Sequence, residues 1–166
     1  MHDKKYPCEL ELATVAASEK LGAKLASCLA PGLVIYLQGD LGAGKTTLVR
    51  ALLYALGHRG AVKSPTYALV EVYVVSRLYL YHFDFYRFVS PEEFLDAGLG
   101  EYFRKDSICM VEWPDKATGY VPPADLVLTL RHDEDGTGRV CAPDARSEEG
   151  RRCLTKLRSA WNADVS

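Results

Sequence analysis

The chain has 166 residues, of which 48% are apolar and 25% charged, and its formal net charge is −2. That length and composition suit one folded domain with its own core and exclude a disordered chain. The charge excludes a broadly basic coat, so any contact with nucleic acid must be a local patch. Five cysteines (Cys8, Cys28, Cys109, Cys141 and Cys153) stand far apart with no C-x-x-C spacing. An odd, scattered set suits neither a disulfide framework nor a zinc site, so reduced thiols in a soluble, cytoplasmic protein are expected. Met1–Lys5 leads into no apolar run, and no stretch reaches membrane-spanning length.

Cys8–Ala13 alternates weakly and predicts a first strand. Leu21, Leu25, Cys28 and Leu29 follow helical spacing over Val15–Leu29, with Thr14 as N-cap and Pro31-Gly32 as the stop. Leu33–Leu37 is an unbroken apolar run, as in a strand covered on both faces of a parallel sheet. Leu48, Leu52 and Leu56 line one face of a helix over about Lys45–Leu56, stopped by Gly57. Thr66–Val75 and Leu78–Tyr86 read as a hairpin around Ser76-Arg77. Pro91–Leu95 starts a helix, and Ser107–Val111 is a further strand. Leu126–Leu130 and Arg139–Cys141 form a strand pair around Asp135-Gly136, and Ser147–Trp161 a terminal helix. Such interleaving predicts a three-layer α/β fold with a mostly parallel central sheet and an antiparallel hairpin.

Gly39-Asp40-Leu41-Gly42-Ala43-Gly44-Lys45-Thr46 satisfies G-x-x-x-x-G-K-[ST], the Walker A pattern, between a buried strand and an amphipathic helix. Glycines let backbone N–H groups close around a phosphate, and the dipole of the following helix attracts the same anion. Lys45 reaches β- and γ-oxygens, while the Thr46 hydroxyl takes one magnesium position. The predicted ligand is therefore a nucleoside triphosphate with magnesium. Phosphates are common to ATP and GTP, so the loop does not choose the base.

A second acidic group is expected at the tip of a neighbouring strand, and Glu112 ends Ser107–Glu112 in that way. Its favoured role is magnesium binding, against that of a strand-end carboxylate in water. In His82-Phe83-Asp84-Phe85-Tyr86-Arg87, alternation puts His82, Asp84 and Tyr86 on one face. That face is either the wet side of an edge hairpin or a means of presenting Asp84 to the γ-phosphate or its attacking water. Ser64-Pro65-Thr66-Tyr67 follows the loop by some twenty residues. Thr66 there belongs either to a γ-phosphate-sensing segment or to an ordinary turn. His58 and His132 have no partners at metal-ligand spacing and read as surface residues. Tyr79, Tyr81, Phe83 and Phe85 read as core.

Gly39–Thr47, Ser64–Tyr67, His82–Arg87 and Ile108–Pro114 occur in an order and at spacings that resemble the TsaE family, from about Glu9 to Val140. That family is the small P-loop ATPase component of bacterial tRNA threonylcarbamoyladenosine synthesis. The resemblance implies a P-loop NTPase fold, ATP as ligand, and phosphate contacts by Gly39, Asp40, Leu41, Gly42, Ala43, Gly44, Lys45, Thr46 and Thr47. It places Thr46 and Glu112 on magnesium, Thr66 in a switch-like segment, and Asp84 in hydrolysis. It also sets Trp113 near the nucleotide, Ser18 near the adenine, and Arg139 on the late strand pair facing the nucleotide. Ala68 departs from the family, which often has threonine after Ser-Pro-Thr-[Phe/Tyr]. Residues 144–166 then form a helical extension of a single domain. The implied partners are the TsaB–TsaD pair, with hydrolysis resetting their complex and tRNA touched indirectly or transiently.

Two other readings stay open on sequence. One is a small-molecule P-loop kinase, although no Arg-x-x-x-Arg lid helix stands between Glu92 and Tyr120. The other is a nucleotide-dependent RNA-binding module using Arg146, Arg151, Arg152, Lys156 and Arg158, against which stands a solvated helix face diluted by Glu148 and Glu149.

Overall fold

The computed structural model describes residues 9–163. In chain order the elements are β1 (Leu10–Leu12), α1 (Val15–Ala26), β2 (Val34–Gln38), α2 (Lys45–Ala55), β3 (Val70–Val75) and β4 (Leu78–Asp84). They continue with α3 (Glu93–Asp96), β5 (Ser107–Glu112), β6 (Leu126–His132), β7 (Arg139–Ala145) and α4 (Glu148–Asn162). Short 3-10 turns lie at Leu99–Tyr102 and Pro114–Ala117.

The strands join one sheet in the order β1-β7-β6-β2-β5-β4-β3. β6, β2, β5 and β4 run parallel, and antiparallel pairings with β7 and β3 flank them, β1 in turn pairing antiparallel with β7. β5 is buried at every position, which explains its unbroken apolar run. Ile35, Leu37, Leu80, Ile108 and Met110 point to one face, where α1, α2 and α4 cover them with Leu21, Leu25, Leu48, Leu52 and Leu157. Each fully buried leucine stabilises the fold by about 1.5–3 kcal/mol. The opposite face carries Tyr81 and Phe83, which cluster with Phe85 and Phe88 of the following loop, Phe94 of α3, and Leu99 and Ala117 of the two 3-10 turns. Three layers result, with long helices on one side only.

Local chemistry sets the element ends. The Thr14 side chain accepts from the Ala17 N–H at 3.1 Å and starts α1. α1 ends at Ala26, three residues before the expected limit, although Cys28 still points into the core. Cys8, expected in the first strand, lies outside the described residues. The β3–β4 turn places Ser76 and Arg77 at φ +49° and +64°, left-handed as a two-residue hairpin requires. The expected helix at Pro91–Leu95 is only the four-residue α3, because the chain turns at Gly98. β7 continues past Cys141 to Ala145. Burial pushes the thiols of Cys109, Cys141 and Cys153 up to about 12, so they behave as inert core groups. Among the described residues, no helix is long and apolar enough to cross a membrane.

Asp125 ties the last helix to the sheet. Its carboxylate accepts from the Val34 N–H at 2.8 Å and from the Ser147 hydroxyl at 2.7 Å, while Ser147 caps α4. Gly150 lies so close that a Cβ there would stand 1.8 Å from the Asp125 carbonyl oxygen. Helix propensity favours alanine over glycine by about 1 kcal/mol, yet the collision is with backbone and cannot be relieved by a rotamer change. Gly150→Ala is therefore expected to lower stability by about 1–3 kcal/mol in urea unfolding. Unchanged or higher stability would contradict this packing.

Candidate active site

β2 lies between β5 and β6, so the loop after β2 opens where neighbouring connections diverge, the usual ligand crevice of an open α/β sheet. This is the loop Gly39–Gly44. Gly39 has φ +145°, and a Cβ there would meet the Leu130 carbonyl oxygen at 2.4 Å, so both backbone and space require glycine. Gly44 has φ +102° and begins α2, leaving the first N–H groups of that helix without partners within it. Ala43 closes the loop through its N–H to the Asp40 carbonyl at 3.0 Å. The Lys45 ammonium turns back to donate to the Gly39 carbonyl and lies 4.1 Å from the centre of the Trp113 ring. Trp113 itself has φ +56°, a left-handed conformation rare for so large a residue and characteristic of functional sites.

The parallel register sets Leu37 opposite Glu112, and Glu112 opposite Asp84, at the carboxyl ends of β2, β5 and β4. Lys45 and Asp84 are each 5% exposed, Glu112 3% and His82 0%. The wet-edge reading of the β4 polar face is thereby overturned: β3 is the edge strand and this face is buried. His82 Nε2 lies 2.6 Å from a Glu112 oxygen. Asp84 accepts from the Tyr86 N–H at 2.9 Å and from the Thr66 hydroxyl at 3.4 Å, and Thr66 also bonds Ser64 at 2.7 Å.

Burial holds the Asp84 carboxyl above the usual aspartate range, and the neighbouring Glu112 charge adds to that effect. The Tyr86 hydrogen bond, His82 and Lys45 oppose it. Burial likewise lowers Lys45, against attraction from Glu112, Asp84, Asp40 and Asp115. Thr46, at the start of α2, and Glu112 carry the kind of hard oxygen that could hold a magnesium ion. Among the described residues no group of three or more His, Cys, Asp or Glu is arranged as a ready-made metal cage. Magnesium commonly takes one or two protein oxygens and completes its shell with water and phosphate.

Two cavities flank the loop. One of about 270 Å³ is lined by Gln38, Gly39, Asp40, Lys45, Trp113 and Asp115. The other, of about 120 Å³, brings Ser18, Gly44, Thr47 and Arg139 together beside Leu12, Thr14 and Gly138. Arg139 donates to the Gly42 carbonyl at 3.1 Å, which fastens the β6–β7 hairpin to the loop. Of the candidate site residues, Gly39, Asp40, Lys45 and Trp113 line the first cavity, Ser18, Gly44, Thr47 and Arg139 the second, and Asp84 and Glu112 are buried, with Thr66 bonded to Asp84. Gln38, Asp115 and the pairing of His82 with Glu112 were not singled out from sequence. Only the parallel pairing of β4 with β5 reveals the last of these.

Residues 12–141 match the family model described as "Threonylcarbamoyl adenosine biosynthesis protein TsaE". The chain belongs to the TsaE family. It is 50% identical over 103 residues to "tRNA threonylcarbamoyladenosine biosynthesis protein TsaE" of Haemophilus influenzae, covering 62% of this chain and 65% of that one. The protein of the same name from Bacillus subtilis is 39% identical over 129 residues, covering 76% and 80%. The crystal structure of Bacillus YdiB superposes with a TM-score of 0.77 at 28% identity, covering 93% of this chain and 95% of that one. The fold is accordingly the P-loop fold. The TsaE match takes in every candidate residue from Ser18 to Arg139 and stops before α4.

Because Asp84 has a raised pKa, the sign of its effect on folding is fixed. Its contribution to stability is present below the ordinary aspartate pKa and lost as pH rises through the higher folded value. Ionised Asp84 therefore costs stability at neutral pH. Asp84→Asn keeps a side-chain oxygen for the Tyr86 N–H and is expected to raise the melting temperature at pH 7 by roughly 2–4 °C. By about pH 4 the gain should vanish. A lower melting temperature at pH 7 would contradict the strained-carboxylate account.

Proposed function

We propose that this protein binds ATP with magnesium and hydrolyses it, driving or resetting a TsaB–TsaD complex during threonylcarbamoyladenosine modification of tRNA. One observation carries the reading: Lys45, Glu112 and Asp84, all buried, converge under a glycine-built loop. Family membership supports the pathway.

In this mechanism the amides of Gly39–Thr47 and the α2 dipole hold the phosphate tail, and Lys45 leaves the Gly39 carbonyl for β- and γ-oxygens. Thr46 and Glu112 would hold magnesium, which would withdraw charge from the phosphate oxygens. Asp84 orients the attacking water and accepts its proton, a task its raised pKa suits. Thr66, bonded to Asp84, reports the γ-phosphate to the Ser64–Tyr67 loop, whose Ser64 and Tyr67 are exposed. Ser18, Thr47 and Arg139 receive the nucleoside side, and Trp113 shields Lys45.

The segment between β4 and β5 supports a regulator rather than a kinase. It holds only the four-residue α3 and a 3-10 turn, and its Arg104 is paired with Asp106. The C-terminal basic residues offer a poor RNA patch, since Arg146 pairs with Asp144 and Arg152 with Glu148. Transfer RNA is reached through the partners, in the cytoplasm, by one folded domain with α4 as its final brace.

Lys45→Ala is expected to weaken ATP binding by about 100-fold or more in calorimetry, with an unchanged circular dichroism spectrum. Asp84→Ala should bind ATP within about threefold of wild type yet lose about 100-fold or more in phosphate release, including release stimulated by TsaB–TsaD. Equal loss of binding and turnover in Asp84→Ala would remove its hydrolytic role. Transfer of γ-phosphate to a small acceptor would replace the regulator with a kinase.

A further inference from the structure

The buried floor of the site contains one polar side chain to which the proposed chemistry gives no task. His82 is fully buried in an inner strand, with its Nε2 2.6 Å from a Glu112 oxygen that is itself almost fully buried. A carboxylate only accepts hydrogen bonds, so Nε2–H is the donor, and such charge-assisted bonds are short and strong. The register explains the reach. His82 lies opposite Met110, two positions before Glu112, so the ring leans along the diagonal towards the carboxyl end of β5. Its Nδ1 is buried and finds no hydrogen-bond partner among the described residues. A bare buried polar atom is destabilising, a cost that a leucine filling the same space would avoid. Packing alone is therefore a poor reason for histidine here.

We propose that His82 is a positioning residue for Glu112: its Nε2–H holds one carboxylate oxygen and fixes the direction in which the other is offered to magnesium. The inference rests on the proposed reading of Glu112 as the magnesium carboxylate. Groups that orient a metal ligand in this way typically contribute 10–100-fold to metal affinity. The effect of His82 belongs to the coupling between magnesium and nucleotide, and not to the grip of the loop on phosphate. Glutamine extends an amide N–H to about the distance of Nε2, whereas asparagine ends near Nδ1 and cannot reach Glu112.

The test titrates a fluorescent ATP analogue into the full chain, once in EDTA and once in saturating magnesium, and reads the ratio of the two affinities. His82→Leu and His82→Asn are expected to bind within about twofold of wild type in EDTA and to lose about tenfold or more of the magnesium enhancement. His82→Gln should restore it to within about threefold. Circular dichroism checks folding, and if His82→Leu does not fold, the Gln and Asn pair decides. Equal magnesium enhancement in those two variants, or equal losses with and without magnesium, would overturn the inference. Glu112→Gln separates the two levels of the account. If Glu112→Gln abolishes the enhancement and the His82 variants do not, the positioning role alone fails. If Glu112→Gln leaves it intact, the magnesium reading fails and the role of His82 with it.

Discussion

Two carboxylates held away from water at the tips of adjacent parallel strands define this molecule more than any other contact. Asp84 and Glu112 stand opposite one another in the β4–β5 register, both nearly inaccessible, with one ammonium and one imidazole near them. Removing like charges from water is unfavourable, and the raised pKa of Asp84 records that cost. A site built in this way is complementary to a cation and a polyanion arriving together. On the proposed function, the loop would supply amides to the anion and the strand tips oxygens to the cation.

The rest of the fold serves that row. Long helices cover only one face of the sheet, and α2 sits there so that its first turn points over the strand ends. The other face is sealed by aromatic side chains rather than by helices, with Phe83, Phe85, Phe94 and Phe103 stacked or crossed at centroid separations of 5.0–5.9 Å. Phe83 on that face and Asp84 on the other come from consecutive residues of β4. Alternation therefore turns one strand into both core and floor. On the surface, Tyr67 and Arg87 join by a 2.8 Å hydrogen bond and a cation–π contact, linking the Thr66 loop to the segment after Asp84.

Much of this could be read before any coordinates. Strong local rules acted without tertiary competition at Thr14, Gly44 and the Ser76-Arg77 turn, although β3 begins only at Val70, four residues after the expected Thr66, and β4 ends at Asp84, two before the expected Tyr86. The loop from Gly39 to Thr46 was legible because its residue types and its place between strand and helix are both required by one physical task. Alternation correctly separated His82 and Asp84 from Phe83, but Tyr86, expected on the same strand face, lies exposed in the turn after β4. The pattern could not say which face was dry, because burial of β4 depends on β5, some twenty residues further on. The same long-range pairing hid the contact between His82 and Glu112. The short α3 was overestimated for a related reason: Pro91, Glu92 and Glu93 give a good helix start, but Gly98 turns the chain with φ +67°.

The central claim is that a triphosphate and magnesium are held together between the loop and the strand tips. A crystal structure determined with magnesium and a non-hydrolysable ATP analogue tests it most directly. The β-phosphate is expected within hydrogen-bonding distance of the Gly42–Thr46 amides, with the Lys45 ammonium moved from the Gly39 carbonyl to phosphate and the metal bound by Thr46 and Glu112. Nucleotide bound elsewhere, or a magnesium ion that leaves Glu112 paired only with His82, would contradict it.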